Sequence, residues 1–300
     1  MCDEIKKNGE SYYLISEEKR REMVKRSVAA ITDIYQNSIL KDSSRNSFMI
    51  KRMEDLADRT VWAMGEQLKC GDFVPFVFEH KFNMEVGDGD RKQLMSGTID
   101  RVDICENGTD VYVRIIDYKT GKKDFNIVKT YYGIDIQLMV YMEAAMKLVA
   151  KMRPGKNVIP AGVFYYNISD PIVSATTESA EEIEDKIKGE LRLKGMVNSD
   201  KDIAEKMDNT GGTSLNIPVS RKADGGFDSR RSKVMNTEQF NMLGRFVDVR
   251  AVDTADRIAG GDIRRSPYKD GQFSSCDRCP YGAVCGFSVD LPGCNYRKLK

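Results

Sequence analysis

Charged side chains interrupt two apolar segments in the stretch GTIDRVDICENGTDVYVRIIDYKTG. Both segments have the period of neighbouring β-strands, in which side chains two residues apart share a face. In the first segment Asp100 continues an apolar face, whereas Asp103 falls on the other face. In the second segment the apolar face continues into Asp117 and Lys119. Carboxylates and an ammonium group therefore extend faces that otherwise look like core.

Carboxylates on a buried face need compensation, because an ion that leaves water without a cation or hydrogen bonds has a high free energy. Mg²⁺ or Mn²⁺ would supply it, since hard cations prefer oxygen ligands. Lys119, two residues after Asp117, could hold a water molecule or neutralise developing negative charge. An ordinary ion pair between Asp117 and Lys119 at a strand end explains the same residues without a metal. Both interpretations stay open on spacing alone.

The composition is that of a chain without an export or membrane-spanning signal. The 300 residues are 41% hydrophobic and carry a formal net charge of +1. The polar start MCDEIKKNGE has no signal-peptide core, and no apolar run approaches ~18 residues. We expect a soluble, cytoplasmic protein. Contacts with nucleic acid would depend on local cations such as Lys122, Lys123 and Lys129, which are also typical of a solvated loop.

Three of the seven cysteines, Cys276, Cys279 and Cys285, lie together in FSSCDRCPYGAVCGF. In a chain without an export signal, this spacing indicates zinc or iron-sulfur ligation rather than disulfides. Three thiolates are one fewer than a closed site normally uses. The candidates for a fourth ligand are Cys2, Cys70, Cys105 and Cys294, each of which is also typical of an ordinary thiol.

Helical periodicity and turn signals predict the elements that position these residues. The predicted helices cover residues 15–36, 45–69, 134–152, 179–193 and 237–259. The predicted strands cover residues 73–82, the two charged segments and residues 158–166, with a turn at 87–91. Ser179 and Glu182 predict a capping box, and Gly71 a left-handed helix stop.

Several motifs in this order resemble the PD-(D/E)xK nucleases of the RecB and AddB type. They are GTIDRVD, IIDYKTG, YYGIDIQLMVY and CDRCPYGAVCGF, and the likeness covers essentially the whole chain. It implies an α/β fold with a restriction-endonuclease-like core, in which helices flank a central mixed sheet. A helical N-terminal region and a C-terminal iron-sulfur cysteine segment complete the expected fold.

Four regions follow from this expectation. They are a helical N-terminal part at 1–72, the PD-(D/E)xK core at 73–197, a mobile insertion at 198–236, and a C-terminal helix with the cysteine segment at 237–300. The insertion is expected because residues 198–236 are poor in apolar side chains and contain paired glycines.

The resemblance implies roles for individual residues. Asp100 and Asp117 look like ligands of Mg²⁺ or Mn²⁺, and Lys119 like the lysine of the signature. Gln137 and Tyr141, one helical turn apart, look like the QxxxY pair beside the family's active site.

The cysteines and two further side chains are less complete matches. Cys276, Cys279 and Cys285 look like three ligands of a [4Fe-4S] cluster. Glu79, on the first strand, could support the metal ligands or form a surface salt bridge. The family's active-site histidine is missing, since the only histidine, His80, lies on that strand. We therefore expect a fragment of a longer protein with an incomplete cluster.

The implied function is that of a metal-dependent DNA exonuclease domain in a bacterial helicase-nuclease of the AddAB type. Such enzymes process double-strand breaks for recombinational repair, so the implied partners are DNA and an AddA-type helicase/nuclease subunit. A catalytically silent DNA-binding or subunit-docking module with the same fold is the alternative.

Overall fold

The computed structural model describes residue 5 and residues 12–34, 43–86, 92–174 and 178–299. Cys2 and the turn expected at 87–91 lie outside these ranges. Two compact units make up the chain. The first comprises Met1–Phe82, Gly97–Phe125 and Tyr141–Met242, and the second comprises Asn83–Ser96, Asn126–Val140 and Leu243–Lys300.

The long predicted helices are present, with ends that shift by a few residues. The helices are α1 (Glu17–Ile34), α2 (Ser44–Lys69), α3 (Ile127–Tyr131), α4 (Gln137–Met152), α5 (Ala180–Glu190), α6 (Lys201–Met207), α7 (Thr237–Ala259) and α8 (Gly282–Cys285). The predicted capping box is confirmed, since the Ser179 hydroxyl accepts from the Glu182 N–H and the Glu182 carboxylate accepts from the Ser179 N–H. Within the described ranges, none of these helices is long and apolar enough to span a membrane.

The strands form a mixed sheet, as the α/β expectation requires. They are β1 (Val74–Val86), β2 (Gln93–Asn107), β3 (Asp110–Lys119), β4 (Asn157–Asn167), β5 (Lys194–Asn198) and β6 (Val234–Met235), adjacent in that order. The pairs β2–β3 and β4–β5 are antiparallel, whereas β3–β4 and β5–β6 are parallel. A separate small sheet has the order β8 (Phe273–Ser274), β7 (Tyr268–Asp270) and β9 (Arg297–Lys298).

Strand β3 is buried on both faces from Val111 to Asp117, which explains its nearly continuous apolar sequence. On one face, Ile116 packs in a core with Phe164 of β4 and Val197 of β5. Close packing of β4 and β5 also requires Gly195, where an added Cβ would lie 2.0 Å from the Val163 carbonyl oxygen. The sheet is therefore the covered centre of the first unit.

The expectation that residues 198–236 form a poorly packed insertion is wrong. Helix α6 lies in this segment and buries Ile203 and Met207 against the sheet core. Ile217 and Val219 are fully buried in the same core. The segment is therefore part of the first compact unit.

Buried polar groups explain why the low apolar content misled the prediction. Asp208 is fully buried, and its carboxylate accepts from Ser214 Oγ at 2.5 Å and from Asn216 Nδ2 at 3.1 Å. It also accepts from the Thr210 N–H at 2.9 Å. Polar side chains that satisfy one another in this way replace apolar ones without loosening the packing.

The expected left-handed stop at Gly71 is also wrong. Helix α2 ends at Lys69, as predicted, but Gly71 is not among the residues with positive φ. An added Cβ at Gly71 would lie 2.3 Å from the Lys206 carbonyl oxygen. Glycine is needed here because α6 approaches the backbone closely, and not because of its conformational freedom.

A cluster of buried charges joins β2 to β3 on the face opposite Asp100. Asp103 accepts from Arg101 Nε at 2.6 Å and Nη2 at 2.7 Å, and from Arg114 Nε at 2.8 Å. The register pairs Asp103 directly with Arg114. Burial by itself raises the pKa of Asp103, but the two guanidinium groups outweigh it and hold the pKa below its ordinary value. The carboxylate is therefore ionised in the folded protein.

We expect Asp103→Asn to lower the free energy of unfolding by about 3–5 kcal/mol, because it leaves two buried arginines without their counter-charge. Urea unfolding at pH 7 measures this. Glu106→Gln is the matched control, because Glu106 lies on the same strand as Asp103 and pairs with Arg153 but is exposed. The unfolding midpoint of this variant should stay near that of the wild type. Equal midpoints for Asp103→Asn and wild type would contradict the expectation.

The stabilisation by Asp103 should also depend on pH. Because its pKa is lowered on folding, the stabilisation is present above the pKa of an unfolded aspartate, about 3.9. It is lost as the pH falls through the lower pKa of the folded state. Wild type and Asp103→Asn should therefore differ in stability at pH 7 and converge in strong acid.

Candidate functional site

Asp100 and Asp117 lie on one face of the sheet, at neighbouring positions of β2 and β3. The register pairs Val102 with Ile115. Alternation places Asp100, two residues before Val102, and Asp117, two residues after Ile115, on that same face. The Tyr118 N–H donates a hydrogen bond of 2.7 Å to Asp100 Oδ2. One carboxylate is thus held by the backbone of the strand that carries the other.

Asp117 is the more deeply buried of the two carboxylates, with 2% of the residue exposed. Burial raises its pKa; the Lys119 ammonium opposes the rise, and the neighbouring Asp100 carboxylate adds to it. Lys119 forms an ion pair with Asp117 Oδ2, and 30% of its side chain stays exposed. The site therefore has a buried carboxylate under like-charge repulsion, partly offset by a half-exposed cation.

Glu79 contributes a third carboxylate from β1. It is the one described residue other than glycine with a positive φ, 48°, which is a strained conformation for an L-residue within a strand. Burial raises the pKa of Glu79, and Asp100 raises it further. Glu79 therefore lies within electrostatic reach of Asp100, and within the described ranges it forms no salt bridge.

This donor set fits a magnesium or manganese ion held by a carboxylate pair. In the part of the chain that the structure describes, no three His, Cys, Asp or Glu side chains converge closely enough to enclose a metal. Mg²⁺ does not need such a cage, because it usually keeps several waters and binds one or two carboxylates together with substrate phosphates. The placement of Asp117 is a further sign of fit, since a bound cation would offset both the burial and the neighbouring Asp100 carboxylate that raise its pKa.

Gln137 and Tyr141 lie one turn apart at the start of α4, and both are half-buried. The Tyr141 ring packs edge-on against Phe82, with centroids 5.7 Å apart. An added Cβ at Gly97 would lie 2.8 Å from Phe82 and 3.3 Å from Tyr141. The glycine that opens the GTIDRVD motif therefore lets these two aromatic rings approach β2.

The three lysines after β3 have different surroundings. Lys122 is exposed. The backbone of Lys123 is fixed by Asn167, which accepts from its N–H and donates to its carbonyl oxygen, both at 3.0 Å. Lys129, in the second unit, pairs with Asp270 at 2.8 Å. Sequence reasoning missed Asn167, because an asparagine that ends a strand gives no functional signal of its own.

The described cysteines are free thiols in the structure and do not form a metal-binding group. Cys276 and Cys285 are half-buried, Cys279 is exposed and Cys294 is buried. Their segment is a series of turns in which the Cys279 N–H donates to the Cys276 carbonyl at 3.2 Å. The residues as placed therefore do not fit a cluster, and Cys2 lies outside the described residues.

Comparison with known proteins supports the nuclease resemblance. A model of the PD-(D/E)XK nuclease superfamily matches residues 10–286. An ATP-dependent helicase/deoxyribonuclease subunit of Clostridium botulinum strain Hall is 36% identical over 272 residues, which are 87% of this chain and 24% of that protein. The subunit of the same name from Lachnoclostridium phytofermentans is 33% identical over 300 residues, 97% of this chain and 25% of that protein.

A third relative of that name, from Thermoanaerobacter sp. strain X514, is 35% identical over 273 residues, 87% of this chain and 23% of that protein. The chain thus spans about a quarter of the length of these relatives. The family match extends over most of the chain, from the helices before the sheet to the cysteine segment. It includes both strands that carry Asp100 and Asp117. The chain belongs to the PD-(D/E)XK nuclease superfamily.

Proposed function

We propose that this chain is a metal-dependent deoxyribonuclease domain that hydrolyses the phosphodiester bonds of DNA. The observation that carries the proposal is the placement of Asp100 and Asp117 on one sheet face, with Lys119 paired to the more buried carboxylate. A scaffold without chemistry gains nothing from a repelling pair of carboxylates at this position.

Asp100 and Asp117 would hold Mg²⁺ or Mn²⁺. When bound, the metal supplies Lewis-acid stabilisation of the phosphate and lowers the pKa of a water molecule. The Tyr118 N–H fixes the orientation of Asp100 through one carboxylate oxygen, so that the second oxygen can face the ligand. Lys119, half-exposed beside Asp117, is placed to hold the attacking water or to neutralise the charge that develops on the phosphate.

The reaction is hydrolysis, in which a water oxygen forms a bond to phosphorus while the bond to the leaving sugar oxygen breaks. The two bonds lie in line, and the water proton is lost as the leaving oxygen gains one. The residues of this chain contribute orientation and charge to this step. Gln137 and Tyr141 of α4 are proposed to support the site, and the cations Lys122, Lys123 and Lys129 to contact backbone phosphates.

The wider role follows from the relatives, whose name describes a subunit of an ATP-dependent helicase/deoxyribonuclease. We propose that this chain is the exonuclease domain of such a subunit in a bacterial AddAB-type enzyme. Its partners would be DNA and an AddA-type helicase/nuclease subunit, in the cytoplasm, and its task the processing of double-strand breaks for recombinational repair. The proposed hydrolysis needs no [4Fe-4S] cluster, and Cys276, Cys279 and Cys285 have no part in it.

Asp117→Ala should reduce cleavage of single-stranded DNA by at least about a hundredfold, because loss of metal-bound charge stabilisation costs several kcal/mol. Release of labelled nucleotides in Mg²⁺, with EDTA as the blank, measures this. Asp110→Ala is the matched control, since Asp110 lies at the other end of the same strand and should leave cleavage unchanged. Wild-type protein that does not cleave DNA in Mg²⁺ or Mn²⁺ would favour the catalytically silent module instead.

Lys119→Met should separate metal binding from catalysis. Lys119 and the metal neutralise the same Asp117 carboxylate, so the variant should bind Mn²⁺ at least as tightly as the wild type, while its cleavage rate falls by about tenfold or more. Electron paramagnetic resonance of Mn²⁺ and single-turnover cleavage measure the two quantities. Asp100→Asn, which removes a proposed metal ligand, should instead weaken Mn²⁺ binding and also lower the cleavage rate. If Lys119→Met weakened Mn²⁺ binding, the assigned role of Lys119 would be wrong.

A further inference from the structure

The sheet face that carries Asp117 continues beyond the proposed active site. The register pairs Asp117 on β3 with Tyr165 on β4, and Tyr165 with Lys194 on β5. Paired residues of neighbouring strands direct their side chains to the same face. Since neighbouring strands lie about 4.8 Å apart, Lys194 is about 10 Å from Asp117 across the sheet.

Two lysines lie over the strand between these positions. The Nζ atoms of Lys119 and Lys123 are 5.7 Å and 5.5 Å from the centroid of the Tyr165 ring. Lys123 is held there by the paired hydrogen bonds between its backbone and Asn167. Cations therefore occupy this face from the proposed catalytic carboxylates to β5.

We use the name β5 basic cluster for Arg192, Lys194 and Lys233. Arg192 lies two residues before β5 begins, close enough to Lys194 to lower its pKa, and its Nη1 donates to the Ser214 carbonyl at 3.4 Å. The intervening Leu193 is fully buried in the opposite core. Lys233 lies beside β5, because its carbonyl oxygen accepts from the Val197 N–H at 3.0 Å. Arg192 and Lys233 thus lie close to Lys194 at β5.

The charge of this cluster is incompletely compensated. Burial lowers the pKa of Lys194. The positive charges of Arg192 and Lys233 lower this pKa further, and nearby carboxylates offset only part of the effect. Within the described ranges no carboxylate forms an ion pair with Lys194. Arg192 Nε is buried without an acceptor in that part of the chain, and only Lys233 has an ion-pair partner, Asp124. An anion bound here would relieve the repulsion.

We propose that the β5 basic cluster binds backbone phosphates of a single DNA strand whose scissile bond lies at Asp100 and Asp117. The proposal rests on the nuclease function proposed above and adds the path of the strand across β4 to β5. Consecutive phosphates of one strand are about 3.4 Å apart along a DNA axis, so Lys194 lies within about three nucleotides of the cleaved bond. Such contacts fix the position of the strand without reading its sequence.

A lysine can also serve packing alone, with its stem on apolar surface and its ammonium in water. The two roles differ in what Lys194→Met changes. If Lys194 serves packing, the methionine leaves DNA affinity and its salt dependence as they are. If Lys194 binds phosphate, the methionine weakens DNA binding. The thermal unfolding midpoint stays the same or rises, because the substitution removes a desolvated cation.

The test measures the affinity of the 300-residue chain for a fluorescent single-stranded oligonucleotide in EDTA, which prevents cleavage. Titrations over a series of salt concentrations give the slope of log K against log [salt]. Lys194→Met should bind about three- to tenfold more weakly and reduce the slope by about 0.7, the value for one phosphate contact of a single strand. Lys194→Arg should keep the wild-type slope, because it keeps the charge.

Lys156→Met is the matched control, since Lys156 is also half-buried but precedes β4 at the opposite end of the sheet. It should leave affinity and slope unchanged. If Lys194→Met does not fold, Lys233→Met carries the same test, because the Lys233 side chain is 45% exposed.

Each outcome separates this inference from the nuclease proposal. Wild-type affinity and slope in Lys194→Met, together with Asp117-dependent cleavage by the wild type, would overturn the phosphate path and leave the nuclease proposal standing. Wild-type protein that neither binds nor cleaves DNA would overturn both. An equal loss of affinity in Lys194→Met and Lys156→Met would also overturn the inference, since the effect would not be specific to the cluster.

Discussion

The arrangement of the sheet depends on the buried carboxylate of Asp103. It joins Arg101 on its own strand to Arg114 on β3, and all three side chains are at most 1% exposed. A shift of β3 by one residue would turn Arg114 to the other face and leave buried charges unpaired, at a cost of several kcal/mol. The register fixed in this way also brings the Tyr118 N–H to Asp100. Charges on one face therefore fix the geometry of the carboxylates on the other.

Strand direction then decides where the polar groups gather. Strands β3 and β4 are parallel, so their carboxyl ends coincide, and the register pairs Lys119 with Asn167 at that end. The chain leaves the sheet there, and Asn167 binds the backbone of the departing segment at Lys123. Loops at strand ends can carry functional groups while the strands hold them rigidly. The end of β3 thus combines a fixed carboxylate, a half-exposed ammonium and a loop anchored by its neighbour.

Local signals in the sequence were sufficient for the parts of the fold that local physics controls. The Ser179 capping box and the end of α2 at Lys69 need only neighbouring residues, and alternation was enough to place Asp100 and Asp117 on one face.

Long-range packing was not predictable in the same way. The burial of Asp208 depends on partners that follow it in an irregular segment, so the segment looked unstructured. Gly71 was identified as a helix end, but its true constraint comes from α6, far along the chain. Alternation correctly placed Arg101 and Asp103 on the same strand face, but no neighbouring residue indicates that Arg114 is the second cation that pairs with Asp103.

Side chains alternate between the two faces of a strand, so β2 and β3 carry a different set of charged groups on each face. On one face Asp103 and its arginines satisfy each other, so that no ligand is needed. On the other face Asp117 is buried beside Asp100 and has Lys119 as its counter-charge, and Asp100 also lies within electrostatic reach of Glu79 on β1. The first face has no need of an added ion, whereas the carboxylates of the second would be stabilised by the cation that we propose to bind there. The asymmetry between the faces, more than the presence of any single residue, is what favours chemistry at Asp100 and Asp117.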